Sequence, residues 1–144
     1  MSVQPKFSII TITYNAASVI EPTLQSVLAQ TYTNYEYLLI DGGSKDDTVA
    51  KAKSSGIEFA HIVSEPDNGL YDAMNKGIAL ATGDYLCFLN AGDSFYAPDT
   101  LQTIEDGAFQ RCYALTEAVI PAQVKRIGAS AFSTCHSITR LTMP

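Results

Sequence analysis

The apolar positions of this chain follow two different grammars. Residues 7–14 read FSIITITY, nearly all apolar or β-branched. Such a run suits a strand buried on both faces of a parallel sheet, since a half-solvated strand would alternate apolar and polar. Over residues 18–30 the interval changes, and Val19, Ile20, Leu24, Val27 and Leu28 recur at helical spacing. Asn15 or Ser18 can cap that helix, and Pro22 is tolerated in its first turn. The pattern then repeats: a strand at 36–40, the turn Asp41-Gly42-Gly43-Ser44, and a helix at 47–55 with Ser44 and Asp47 at capping-box spacing. A strand at 58–63, a helix at 70–81 capped by Asp67 or Asn68, and a strand at 85–89 follow. Strands joined through single helices predict right-handed crossovers and a parallel sheet, an α/β fold.

Beyond Leu101 the grammar changes. Ile104, Ala108, Phe109, Cys112, Leu115, Thr116 and Pro121 match Ile127, Ala131, Phe132, Cys135, Ile138, Thr139 and Pro144, each pair 23 residues apart. That period lies in the leucine-rich-repeat range, where each unit gives a short strand and a turn and buries its apolar side on the next. The pattern I-x-x-x-A-F-x-x-C-x-x-L-T resembles the cysteine-containing repeats of bacterial surface (BspA-like) proteins. The reading is therefore 1–102 as an α/β part and 103–144 as two repeat units, with Phe109, Phe132, Cys112 and Cys135 expected at equivalent buried positions.

Composition narrows the function classes. At 47% hydrophobic and 17% charged residues the chain is a folding sequence, not a disordered one. The net charge of −6 is concentrated in the first part, with five Lys against twelve Asp and Glu up to residue 102. An acidic face argues against nucleic-acid or anionic-membrane binding. There is no apolar run of transmembrane length and no basic leader before an apolar stretch, so the expected compartment is the cytoplasm. Cys87, Cys112 and Cys135 show no CxxC spacing, which suggests neither a disulfide framework nor a zinc site.

In an open parallel sheet, ligands bind beyond the carboxyl ends of the strands. The polar clusters fall there: Tyr14-Asn15 after the first strand, Asp41 to Ser44 after the second, Glu65 to Gly69 after the third, and Asn90 to Asp93 after the fourth. The segments FSIITITYN, LLIDGGSKDDT, EPDNGLYDAMNKGIALATGDYLCFLNAGD and PDTL resemble the successive signatures of family 2 glycosyltransferases over about residues 4–102. The resemblance implies a Rossmann-like GT-A fold, a nucleotide-diphosphate sugar donor, Mn²⁺ or Mg²⁺, inversion at the sugar carbon, and a polysaccharide or glycoconjugate acceptor. Carried over by position, Thr13, Tyr14 and Asn15 would line the base and ribose pocket, and Asp41 would accept a hydrogen bond from the base. Asp41 can equally be a turn-stabilising residue before two glycines, while Gly42 and Gly43 let backbone approach a ligand. Helix capping accounts for Ser44 and Asp46 without a ligand. Asp67, Asn68 and Gly69 open a helix whose free N–H groups would suit a phosphate. Asn75 matches a donor-contacting Asn, whereas Lys76 can be a solvated charge.

The family's acidic metal motif, commonly DADD, falls on Asn90-Ala91-Gly92-Asp93. Two of its acids are missing. Asp93 would ligate the metal, and Asn90 would hydrogen-bond a ribose hydroxyl. The family's general base comes from the second half of its domain, where this chain carries the repeats instead. The resulting expectation is a chain that mainly binds the donor, with the repeats offering a surface to a protein partner. The rival is a non-catalytic repeat protein carrying a relic transferase half.

Overall fold

A computed structural model of the chain describes residues 4–104 and 106–143. Glu105 and Pro144, the latter one of the repeat-matching prolines, lie outside the described residues. Residues 5–98 form one compact unit, and a second begins at Asp99.

The first unit runs β1 (Phe7–Thr13), α1 (Ile20–Leu28), β2 (Tyr35–Asp41), α2 (Thr48–Ser54), β3 (His61–Ser64), α3 (Leu70–Leu80) and β4 (Tyr85–Phe88). Its four strands form one sheet in the order β3-β2-β1-β4, and every neighbouring pair is parallel. β1 and β2 pair along their whole length, Phe7 with Tyr35 through Thr13 with Asp41, and are buried almost throughout. Side chains alternate across a strand, so Ile10, Ile12, Leu38 and Ile40 face one layer, where they pack with Ala73, Met74 and Leu80 of α3. Gly77 lets α3 approach closely: a Cβ there would sit 2.6 Å from Ile10 Cγ2. Ile9, Thr11, Tyr37 and Leu39 point the other way and are equally closed to solvent. The buried stripe Ile20, Thr23, Leu24 and Val27 of α1, with Ala52 of α2, supplies apolar surface for that side. Among the described residues β4 pairs with a strand on one side only, and Tyr85 and Leu86 on it are exposed.

The amino ends of β1, β2 and β4 are tied by one side chain. Glu36 accepts from Lys6 Nζ (2.7 Å), Ser8 Oγ (2.5 Å), and the N–H and hydroxyl of Thr82 (2.6 and 2.7 Å). Burial alone would raise its carboxyl, but these hydrogen bonds together outweigh burial and hold the pKa at about 2.

Helix entry differs from the sequence reading. α1 starts at Ile20 with Val19 as its capping residue and no side-chain cap, α2 starts at Thr48, and α3 has Gly69 at its N-cap. Asp47 stands at the N-cap of α2 without a side-chain cap bond, and neither Asn15, Ser18 nor Ser44 caps a helix. Asn15 and Ser44 are spent instead on bonds between loops, which compete with capping for the same oxygen atoms.

The second unit contains a 3₁₀ turn (Thr100–Gln102) and four short strands: β5 (Thr103–Ile104), β6 (Glu117–Val119), β7 (Arg126–Ile127) and β8 (Arg140–Thr142). β5 pairs with β7 and β6 with β8, both parallel, and every pair is offset by 23 residues. Phe109 stacks on Phe132 at 5.1 Å and Tyr113 on His136 at 6.0 Å, again 23 apart. The stacking starts upstream of 103, since Lys125 N–H donates to Gln102 O (2.8 Å), and Pro98, Leu101 and Ile104 recur as Pro121, Val124 and Ile127. Equivalence holds for the phenylalanines and cysteines, but burial does not. Phe109 is exposed, and Phe132, Cys112 and Cys135 are only half-buried. Each ring in a two-unit stack has a like neighbour on one side only.

Candidate functional site

Because the sheet is wholly parallel, the loops that follow its strands all leave the same edge. Asn15, Asp41, Asp67 and Asp93 therefore lie in loops along one rim, all within the first unit. Two of these loops are bonded together. Asn15 N–H donates to Ser44 Oγ (2.7 Å), Ser44 Oγ donates to Asp41 Oδ1, and Lys45 N–H donates to Asn15 Oδ1 (2.8 Å). Ala16 N–H reaches Thr48 Oγ1 (2.8 Å) and Ala17 N–H reaches Asp46 Oδ2 (3.0 Å). The Thr48 hydroxyl, the largest cause, together with the N–H groups of Ala17 and Thr48 (the latter at 3.1 Å from Oδ1), lowers the Asp46 carboxyl. Asn15 itself sits at φ 46°, a left-handed conformation that asparagine tolerates better than most residues.

Asp41 is almost fully buried. Its Oδ2 accepts from Gly43 N–H (3.1 Å), Ser44 N–H (2.9 Å) and Ser64 Oγ (2.7 Å). These bonds make it the organiser of the turn it begins. Ser64, which the sequence reading did not single out, follows from strand register, because it pairs directly with Asp41. The turn has a use for its first glycine. A Cβ on Gly42 would lie 2.7 Å from Asp67 Oδ2 and 3.4 Å from Tyr14 Cδ2, so loops after three strands converge on that backbone. Tyr14 is 63% exposed there, which leaves its ring free to stack on a planar ligand.

The opening of α3 departs from the expected phosphate cradle. Asp67 Oδ1 accepts from Gly69 N–H (2.9 Å), and Asp72 Oδ2 accepts from Asn68 N–H (3.0 Å). Those N–H groups are occupied, and a carboxylate beside them repels a phosphate. Lys76 pairs with Glu65 (2.9 Å) and donates to Pro66 O (3.1 Å). Its pKa is raised, chiefly by the Glu65 hydrogen bond, and it acts as a clamp on the loop after β3. Asn68 and Asn75 are exposed.

Two polar atoms at this rim lack protein partners. Thr13 Oγ1, at the end of β1, and Asn90 Oδ1, just past β4, are buried with no hydrogen bond. The strands that carry them are neighbours, and Ala91 N–H bonds Ile12 O (3.1 Å), so both residues stand at the same boundary. Buried oxygen atoms left without donors cost free energy unless a ligand or water satisfies them. Asp93 is exposed three residues on, its N–H held by Asn90 O (2.9 Å). Among the described residues no group of three or more His, Cys, Asp or Glu could hold a metal ion. The single exposed carboxylate of Asp93 fits a cation that brings most of its ligands from a bound diphosphate, not a cation held by protein alone.

Known proteins share the parallel α/β fold of the first unit. Residues 8–116 match the family described as Glycosyl transferase family 2. An uncharacterized glycosyltransferase of Mycobacterium tuberculosis is 47% identical over 107 residues, covering 73% of this chain and 41% of its own. The amylovoran biosynthesis glycosyltransferase AmsB of Erwinia amylovora is 37% identical over 101 residues, covering 67% of this chain and 33% of its own. The mannosyltransferase of Pyrobaculum calidifontis, solved with GDP-Man and Mn²⁺, superposes with a TM-score of 0.64 at 25% identity over 69% of this chain and 31% of that one. Staphylococcus aureus TarS 1–349 with UDP-GlcNAc gives a TM-score of 0.62 at 20% identity over 70% and 34%, a likeness of fold. The chain thus spans about two fifths or less of the length of these relatives. Among the described residues no helix is long and apolar enough to cross a membrane.

Proposed function

The chain belongs to glycosyl transferase family 2, and on that premise we propose that residues 5–98 bind a nucleotide-diphosphate sugar at the carboxyl rim of the sheet, for transfer to a polysaccharide or glycoconjugate acceptor. The observation that carries this reading is the pair of partnerless buried oxygens, Thr13 Oγ1 and Asn90 Oδ1, on adjoining strands. Ligand hydroxyls such as those of a ribose would satisfy both. The solved relatives carry GDP-Man and UDP-GlcNAc, so the shared chemistry is the nucleoside diphosphate.

In this reading Tyr14 stacks on the base, and the Asn15–Ser44–Asp41 relay holds the loop that receives it. Asp67 faces the Gly42 backbone and takes a ligand donor there. Asn68 and Asn75 would contact the donor from the α3 side. Asp93 would hold Mn²⁺ or Mg²⁺ together with the diphosphate, and Asn90 would bond a ribose hydroxyl. When bound, that cation supplies Lewis-acid stabilisation of the departing nucleoside diphosphate. A cytoplasmic location goes with such a donor. Proton removal from an acceptor has no counterpart among the acids after Asp93 that are described in contact. Asp106 Oδ1 accepts from Ala129 N–H (2.7 Å), and Glu117 pairs with Arg140 (3.3 Å), both inside the second unit. The contribution of this chain is therefore donor binding, with donor hydrolysis the most turnover expected of it.

Titration calorimetry with UDP, GDP and their sugars, with and without Mn²⁺, tests the reading. A nucleoside diphosphate should bind more tightly with metal. Asp93→Ala should abolish that dependence, whereas Asp41→Ala should weaken binding by about 1–3 kcal/mol with or without metal, because it releases the turn. Absence of any binding at millimolar nucleotide with Mn²⁺ would sink it. That result would favour the second reading, a non-catalytic protein whose leucine-rich-type repeats provide the contact surface, which draws on the in-register stacking of the second unit.

A further inference from the structure

The loops after β1, β2 and β3 are rich in acceptors and have spent their main-chain donors. The N–H groups of Asn15, Gly42, Gly43, Ser44, Asn68 and Gly69 are all bonded within the protein, to Ser44, Thr13, Asp41, Asp41, Asp72 and Asp67 in turn. Lys76 spends its ammonium on Glu65 and on Pro66 O. Asp41 is closed to a ligand as well. It is 1% exposed, its Oδ1 accepts from the Ser44 hydroxyl, and its Oδ2 accepts from three donors. Asp67 differs. It is half-buried, its Oδ1 accepts from Gly69 N–H (2.9 Å) alone, and its Oδ2 accepts no hydrogen bond among the described residues. That open oxygen stands beside the exposed ring of Tyr14: the point where a Cβ on Gly42 would lie is 2.7 Å from Asp67 Oδ2 and 3.4 Å from Tyr14 Cδ2.

We infer that Asp67 selects the base of the nucleotide and that the base it selects is guanine, an inference that rests on the donor-binding reading above. A base stacked on the Tyr14 ring turns one edge toward Asp67. Guanine offers there two adjacent donors, N1–H and the 2-amino group, which match the two oxygens of a carboxylate in charge-assisted bonds. Uracil offers one N–H flanked by two carbonyl oxygens. A carboxylate repels those carbonyls, and the main chain around them has no donor left to satisfy them. Adenine and cytosine each set a ring acceptor beside their amino group, so they meet Asp67 with one attraction and one repulsion. Gly42 belongs to the same arrangement, because a side chain there would crowd the Asp67 carboxylate.

The test is titration calorimetry on the whole chain with GDP, inosine diphosphate and UDP at a fixed Mn²⁺ concentration. Inosine diphosphate keeps N1–H and lacks the 2-amino group. GDP should bind about tenfold or more tighter than UDP, with inosine diphosphate between them. Asp67→Asn should bring GDP to within about twofold of UDP and leave the UDP affinity unchanged. A residue that only held the loop would weaken both nucleotides alike. UDP bound by the parent as tightly as GDP, or equal losses of both in the variant, would overturn the inference and leave the donor-binding reading standing. Absence of binding by all three nucleotides would overturn both. If the variant does not fold, the order of the three nucleotides on the parent decides alone.

Discussion

The two units of this chain bury their side chains by different geometries. In residues 5–98, layers do the work: two long central strands are sealed on both faces, and Ile9, Ile10, Leu38 and Leu39 have no exposed surface. From Asp99 on, translation does it, each group meeting its own counterpart 23 residues later. Among the described residues there, Leu101, Ile120 and Ala131 form the buried apolar set, and buried Gln102 and Gln123 each leave an amide oxygen without a partner. A layered core is complete once both faces are covered, whereas a stack gains from every added unit and has an end that is not covered from within.

The largest effect should separate the two geometries. Leu38→Ala removes a fully buried side chain from the centre of a layer and should destabilise the first unit by about 3–5 kcal/mol. Phe132→Ala, at a half-buried stacked ring, should cost the second unit about 1–2 kcal/mol. Hydrogen exchange resolved by segment measures both, and equal costs would break the distinction. Next comes Glu36→Gln, which should lower the stability of the first unit by about 2–3 kcal/mol at neutral pH. The folded pKa lies below the usual 4.5, at about 2. The contribution is thus complete above about pH 4.5 and is lost as pH falls towards 2. Denaturant midpoints of parent and variant should converge across that window, and a constant gap would refute the assignment.

Thr13→Val has a smaller and two-signed effect. The side chain keeps its shape but loses a buried hydroxyl that no protein group satisfies, so stability should rise by about 1 kcal/mol. Nucleotide affinity should fall, and a variant more stable yet unchanged in binding would leave the hydroxyl without a ligand role. The smallest effect is chemical. Burial raises the Cys87 thiol in β4, so it should alkylate more slowly than Cys112 or Cys135 in the native chain.

Most of the first unit was readable in advance because its signals are local. The run at β1, the helical spacing in α1 and the polar cluster after each strand mark the elements and the rim that joins them. The loop chemistry was not readable, because it depends on which loops become neighbours. Ser44 has the spacing of a helix cap, yet its hydroxyl oxygen accepts from Asn15 N–H once the loops after β1 and β2 meet. The N–H groups near Asn68 look free in sequence but are taken by Asp67 and Asp72. In the second unit the period was legible, and Pro98 to Ile104 carry it too, although their likeness to a different motif hid this. Degree of burial was not legible, because a period says what stacks on what and nothing about how many units stack.

The lone-sided strand β4 has a consequence for handling the protein. Its sequence, Tyr85-Leu86-Cys87-Phe88, is apolar, lacks any charge or proline, and lies at one end of the sheet with two of its side chains exposed. A strand of that composition is a template for intermolecular pairing, because natural edges are normally blunted by charge, proline or a bulge. Concentrated solutions should therefore lose material to β-rich aggregates before they lose it to unfolding. A lysine in place of Leu86 is the substitution that should keep the chain dispersed.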